Sequence, residues 1–116
     1  MARDDYSTEL KKGSVQLCIM TLLKRERMYG FQIVKELREL SDGYFDLKEG
    51  TLYPALHRLE KKGYLVSEWE TSDNRPPKKY YRLTPQGKKA LEDATGAWRT
   101  MVEKTTKVLE GKRRGK

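Results

Sequence analysis

The sequence is poor in the residues that build cross-linked or metal-held scaffolds: it has one cysteine, Cys18, and one histidine, His57, in 116 residues. A lone thiol admits neither a disulfide framework nor a CxxC metal site. Because Cys18 lies in the apolar run from Val15 to Leu23, it reads as a buried core thiol in a reducing compartment. A lone histidine leaves a catalytic dyad or a histidine-rich metal site without partners. No apolar run approaches the roughly 20 residues needed to span a bilayer, and the charged stretch from Met1 to Lys12 has no apolar signal core. A cytoplasmic protein with no membrane partner is expected. There is no phosphate-cradling loop, no nucleophile elbow and no carboxylate pair in a Gly-rich setting, so nothing argues for an enzyme, a cofactor or a metal.

What the chain has in quantity is charge. Lys and Arg outnumber Asp and Glu by 25 to 17, a formal net charge of +8. That excess favours a polyanionic partner, although many basic proteins bind nothing acidic. The length suits one compact domain with an extended helix appended. Hydrophobic and charged residues each make up 36% of the chain, which is thin cover for a monomeric core and makes oligomerisation the expected remedy.

From Ser7 to Arg25 there is no proline, and Leu10, Val15, Leu17, Cys18, Ile19, Met20, Leu22 and Leu23 crowd nearly all round a helix, which therefore needs burial on several sides. After Met28-Tyr29-Gly30, the residues Phe31, Ile33, Val34, Leu37 and Leu40 recur at helical spacing until Ser41-Asp42-Gly43 ends the run. Tyr44 to Leu47 alternates weakly and reads as a minor edge strand. A third helix is expected from about Glu49 to Lys62, starting near Glu49 to Thr51 so that Pro54 falls in its first turn. Its buried stripe is Leu52, Ala55, Leu56 and Leu59, which leaves Thr51, Pro54, His57, Arg58, Lys61 and Lys62 away from the core.

Gly63 suits the helix end. Residues 64–70 and 79–83 then carry the β-branched and aromatic residues of two strands, around a long basic tip at residues 72–78. Thr84-Pro85 is a strong start for a last helix reaching about Glu110, and the tail Gly111 to Lys116 is basic and expected to be disordered. The expected fold is mainly α with a small β-hairpin. It comprises a winged helix-turn-helix domain over residues 1–84, a C-terminal dimerisation helix over 85–110 and a tail over 111–116.

In that layout the third helix enters the major groove and the hairpin reaches the flanking backbone or minor groove. From Lys48 to Arg82 there are eight basic residues and five acidic ones. Arg58 can engage guanine O6 and N7 bidentately, His57 and Thr51 can make single hydrogen bonds, and the rim of Pro54 can meet a thymine methyl. Lys48, Arg75, Lys78 and Lys79 are placed to hold phosphates. Tyr81 shares a strand face with Leu83 and reads as core, whereas Tyr80 faces the other way, where it can meet a phosphate. Lys61 and Lys62 are equally well explained by the dipole and solubility of a helix end.

The string GTLYPALHRLEKKGYL from Gly50 to Leu65, then Trp69, then KKYYRLTPQGKKAL from Lys78 to Leu91, resembles the PadR family of bacterial transcriptional regulators. Met28-Tyr29-Gly30 fits the same pattern, and the likeness runs from about Leu17 to Val102. The resemblance implies a winged-helix repressor that dimerises through the helix after the wing, with Thr51, Tyr53, Pro54, His57 and Arg58 at the DNA-reading positions. One departure is the wing tip, where Arg75-Pro76-Pro77-Lys78 replaces the glycine-rich, arginine-bearing turn common among relatives.

In the last helix Leu91, Ala94, Trp98, Met101, Thr105 and Val108 follow the 3.5-residue rhythm of a coiled-coil seam, so this helix wants a partner helix. A two-fold homodimer on double-stranded DNA then predicts an inverted-repeat operator. Trp98 reads either as a large core residue or as a platform for a flat aromatic ligand. Some short multidrug-binding PadR-like repressors are similar to this chain. That resemblance implies a pore between subunits, lined by Leu17, Ala90, Ala94, Trp98 and Val102, that takes a planar aromatic effector. The alternative function is non-specific, nucleoid-type DNA binding, to which the basic tail would contribute.

Overall fold

The computed structural model describes residues 2–111 and 113, with side chains from Thr8 onward. Most of the basic tail therefore lies outside the described residues. The elements run α1 (Ala2–Arg25), β1 (Met28–Tyr29), α2 (Gly30–Leu40), α3 (Glu49–Lys61), β2 (Leu65–Ser72), β3 (Arg75–Leu83) and α4 (Pro85–Glu110). The strands form one antiparallel sheet in the order β1-β3-β2. This is the winged helix-turn-helix layout expected, with three differences in detail and an α1 that begins at Ala2 instead of Ser7.

The first difference is the edge strand. Residues 44–48 are irregular, and the third strand is instead Met28–Tyr29, paired with Tyr81 and Tyr80 of β3. The turn after α2 explains this. Ser41 Oγ donates to the Leu37 carbonyl at 2.6 Å and accepts from the Phe45 N–H at 2.9 Å, so the amide that would start a strand is already used. Asp42 and Gly43 adopt φ of 54° and 83°, which reverses the chain toward α3.

The second difference is Pro54, which is the sixth residue of α3 and not in its first turn. The proline leaves the Gly50 carbonyl without its helical donor, but Gly50 is exposed and solvent can replace that bond. The stripe of Leu52, Ala55, Leu56 and Leu59 is buried as the 3.6-residue period requires. At the far end the Tyr64 N–H reaches the Leu59 carbonyl and the Gly63 N–H the Glu60 carbonyl, each at 3.0 Å, with Gly63 at φ 84°. This is the Schellman arrangement that only a residue tolerant of positive φ closes without strain.

The third difference is the wing. Its strands extend to Ser72 and Arg75, so the tip is Asp73-Asn74 and not the longer segment 72–78. Pro76 and Pro77 lie inside β3, where the register shifts between Glu70↔Lys78 and Ser72↔Arg75. One residue of β2 there opposes two prolines, a bulge that removes the need for their missing N–H groups, and β1 has already ended.

The core is a single cluster to which α1 contributes Val15, Ile19, Met20, Leu22 and Leu23, with Tyr81 and Leu83 from β3 and Leu91 from α4. Cys18 is half-buried at its margin and not enclosed by it. Thr84 ties the wing to α4: its Oγ1 accepts the Gly87 N–H at 2.9 Å as N-cap and donates to the Gly63 carbonyl at 2.7 Å. Gly87 must be glycine, because a Cβ there would run into the Tyr64 carbonyl.

Candidate nucleic-acid interface

The buried stripe of α3 fixes what its other side presents. Thr51, Pro54, His57, Arg58 and Lys61 are all exposed and lie together on the face opposite Leu52, Ala55, Leu56 and Leu59. The two acids of the helix flank this face. Glu49 is at the N-terminus, where its charge suits the dipole, and Glu60 is turned to the sheet, where it accepts from Ser67 Oγ. The middle of the exposed face is therefore uncharged or cationic. Arg58 makes no ion pair among the described residues, so its guanidinium fork is open to a ligand.

Tyr53 stands apart from its expected companions. Its hydroxyl packs on Gly30, the first residue of α2, so closely that a Cβ at position 30 would overlap it. Tyr53 packs α3 against the head of α2 while staying 45% exposed. Lys48 is exposed at the head of α3, where its carbonyl accepts the Thr51 and Leu52 N–H groups, both at 2.9 Å.

The expected wing residues divide between the two faces of the sheet. Tyr81 is buried on the helix side, and burial, followed by the nearby Glu60 and Tyr53, raises its hydroxyl above the ordinary range. Lys79 shares that side, its ammonium 5.9 Å from the Trp69 ring and 5.7 Å from the Tyr81 ring. Tyr80 and Lys78 lie on the outer side. Tyr80 packs edge-on to Tyr29 at 5.3 Å, and Lys78 sits 4.5 Å over Tyr29. The Arg27 guanidinium lies 4.2 Å over Tyr80 and is ion-paired to Glu68 at 3.5 Å and to Glu70. The hydrogen bond to Glu70 is the main cause that raises its pKa. Arg75 is exposed beside the tip.

Thr51, Pro54, His57 and Arg58 are thus brought together, with Lys48 at their head. Lys78 and Tyr80 are not; they belong to an aromatic and ionic cluster on the back of the wing. The sequence reading missed Arg27, the hub of that cluster, and gave no role to Trp69, which is 65% exposed on the helix side of the wing. Strand alternation held the signal for Trp69, since it lies two residues beyond the core-facing Ser67.

A separate open groove of about 650 Å³ runs between α1, α2 and α4 and is lined by Leu17, Cys18, Tyr44, Trp98 and Met101 among others. Of the five residues expected around an effector, it gathers Leu17 and Trp98. Ala90 packs at the edge of the core, while Ala94 and Val102 are exposed on α4 outside the groove lining. Burial pushes the Cys18 thiol up.

A family model described as the transcriptional regulator PadR-like family matches residues 19–93. A transcriptional regulator of Mycobacterium tuberculosis is 37% identical over 103 residues, covering 89% of this chain and 90% of that protein. The negative transcriptional regulator PadR of Bacillus subtilis is 27% identical over 79 residues, 68% of this chain and 43% of that one. Among solved structures, a PadR family transcriptional regulator from Eggerthella lenta superposes with a TM-score of 0.80 at 34% identity, over 97% of this chain and 99% of that one. The family and these relatives are transcriptional regulators, not enzymes. Among the described residues no helix is long and apolar enough to cross a membrane.

Proposed function

The chain belongs to the PadR-like family of DNA-binding transcriptional regulators, and from that premise we propose that it is a cytoplasmic repressor that binds an inverted-repeat operator as a homodimer. The observation that carries this reading is the acid-free exposed face of α3, where Thr51, Pro54, His57 and Arg58 stand together over a fully buried stripe. On that reading Arg58 takes a guanine bidentately, Thr51 and His57 make single hydrogen bonds to base edges, and Pro54 rests against a thymine methyl. Lys48 and the tip-side Arg75 hold phosphates, and Lys79 supports the wing from its helix side. The repressor role is supported by the negative regulator among the relatives.

The second copy is supported by α4, on which Trp98, Met101, Val102, Val108 and Leu109 are all exposed. Pairing α4 with its counterpart, and with Leu10 of the partner's α1, would bury this surface and set two α3 helices on one side of the duplex. A separation of about 34 Å then places them in successive major grooves. The groove holding Leu17 and Trp98 is where a planar aromatic effector would enter, and a ligand wedged there would shift α4 and so the spacing of the reading helices.

Selection of bound sequences from a random duplex pool tests the reading. An inverted repeat should emerge for the wild type, and Arg58→Ala should relax one base pair in each half-site, losing about 1–3 kcal/mol of discrimination there. A pool that emerges without sequence preference would favour nucleoid-type binding and sink the proposal.

A further inference from the structure

The first helix borders a second cleft, which adjoins the Trp98 groove and shares Lys11 and Phe45 with it. It measures about 610 Å³ and lies between Thr8, Lys11, Lys12, Val15 and Gln16 of α1 and the Thr51, Pro54 and Arg58 side of α3. Phe45, Asp46 and Leu47, from the segment between α2 and α3, close part of its wall. Val15 and Ala55 are buried at its base, while Lys12, Thr51, Pro54 and Arg58 are exposed along its margins. Three cations therefore line one cleft that shares its α3 wall with the proposed base-reading face.

Among the described residues, the acids near the cleft are Asp46, in its wall, and Glu9. Asp46 pairs with Arg38 at 3.7 Å. Glu9 pairs with Lys12 at 3.6 Å, but both side chains are largely exposed, so that pair is weak and readily exchanged. The Lys11 ammonium rests 4.4 Å over the ring of Tyr44, which lines the Trp98 groove, so Lys11 stands at the border of the two cavities with its charge uncancelled.

We infer that Lys11 and Lys12 hold backbone phosphates of the DNA strand that runs beside α3 on the side away from the wing. The inference rests on the proposed DNA-binding reading. A helix in a major groove about 12 Å wide has a row of phosphates on each flank. The Glu60 and Tyr53 side of α3 faces the sheet, so the wing serves that flank. The Thr51 and Arg58 side faces α1, and its lysines are the cations placed to serve the other. A phosphodiester suits the cleft because the same Thr51, Pro54 and Arg58 line both the cleft and the reading face.

The test measures binding of the full chain to a selected operator and to a scrambled duplex between 50 and 200 mM salt, for the wild type, Lys12→Gln and Lys11→Gln/Lys12→Gln. Each phosphate contact adds about 0.9 to the slope of log affinity against log salt. The double variant should lose a slope of about 1.8 per protomer, about 3.6 for the dimer on its operator, so that its affinity falls on the order of a hundredfold less than that of the wild type across this range; Lys12→Gln alone should lose about 1.8 for the dimer. The preference for operator over scrambled DNA should stay unchanged. Unaltered slopes, or an altered preference, would overturn the inference while the wild type still discriminates. A wild type that does not discriminate overturns the underlying reading instead.

Discussion

The third and fourth helices carry the same kind of amphipathic pattern and end in opposite conditions. In α3 every apolar residue of the stripe is buried within the chain, and the exposed face is polar or basic apart from Tyr53 and the ring of Pro54. In α4 only Gly87 and Leu91 are buried, and from Trp98 to Glu110 every residue is exposed, including Val108 at 79% and Leu109 at 81%. A half-helix with an uncovered apolar side is marginal in water, where most helix stability comes from packing. On the proposed reading the contrast separates two tasks: α3 is finished by its own chain and offers polar groups to a ligand, whereas α4 awaits another surface.

The sharpest way to break this contrast is to put charge on the unfinished side. Met101→Asp/Val102→Asp should turn a dimer into a folded monomer in sedimentation and lower operator affinity by about 10²- to 10⁴-fold, because the second half-site no longer binds as part of one assembly. An unchanged mass would contradict the reading of α4. In α3 the corresponding break is internal. Leu56→Ala should cost about 2–5 kcal/mol of stability, an intrachain loss that persists in the Met101→Asp/Val102→Asp background, measured by urea unfolding.

Smaller effects sharpen the join between the two regions. Thr84→Ala removes the cap of α4 and its link to the Gly63 carbonyl, and should cost about 1–2 kcal/mol in the same assay. The smallest effect is one of pH. Burial raises Tyr81 and Cys18 above their ordinary values of 10.0 and 9.0. Below those values both groups are protonated in either state and contribute nothing to the pH dependence. Above them the unfolded chain releases protons that the folded chain keeps, so stability falls as pH rises. Melting temperatures should decline as pH rises above about 9, and Tyr81→Phe with Cys18→Ser should flatten the decline; an equal slope would refute the assignment.

The same contrast marks what the sequence could reveal. The stripe of α3, the end of α2 and the Thr84-Pro85 start of α4 were legible because each depends on residues within a turn or two of one another. The strand expected at Tyr44–Leu47 was a misreading: a weak alternation suggested β structure, but Ser41 captured the Phe45 amide. The true third strand is only Met28–Tyr29, defined by pairing with residues some 50 positions away, which no local pattern announces. Pro76-Pro77 read as a loop because the bulge that accommodates them is a property of the strand pair. For the candidate site, local periodicity gave the exposed face of α3 but not the rotation of Tyr53 onto Gly30. Nor did it give the cluster of Arg27, Tyr29 and Tyr80, which joins β1 and β3 to the loop before β1.

The account rests on α3 as a reader of bases presented twice. Its most direct test is the affinity of the purified protein for a selected palindromic duplex and for a scrambled duplex of equal length at physiological ionic strength, with the mass of each complex measured alongside. The account predicts two chains on the palindrome and tighter binding to it by about 10³-fold or more. Equal affinity for the two duplexes, or a single chain on the palindrome, would contradict it.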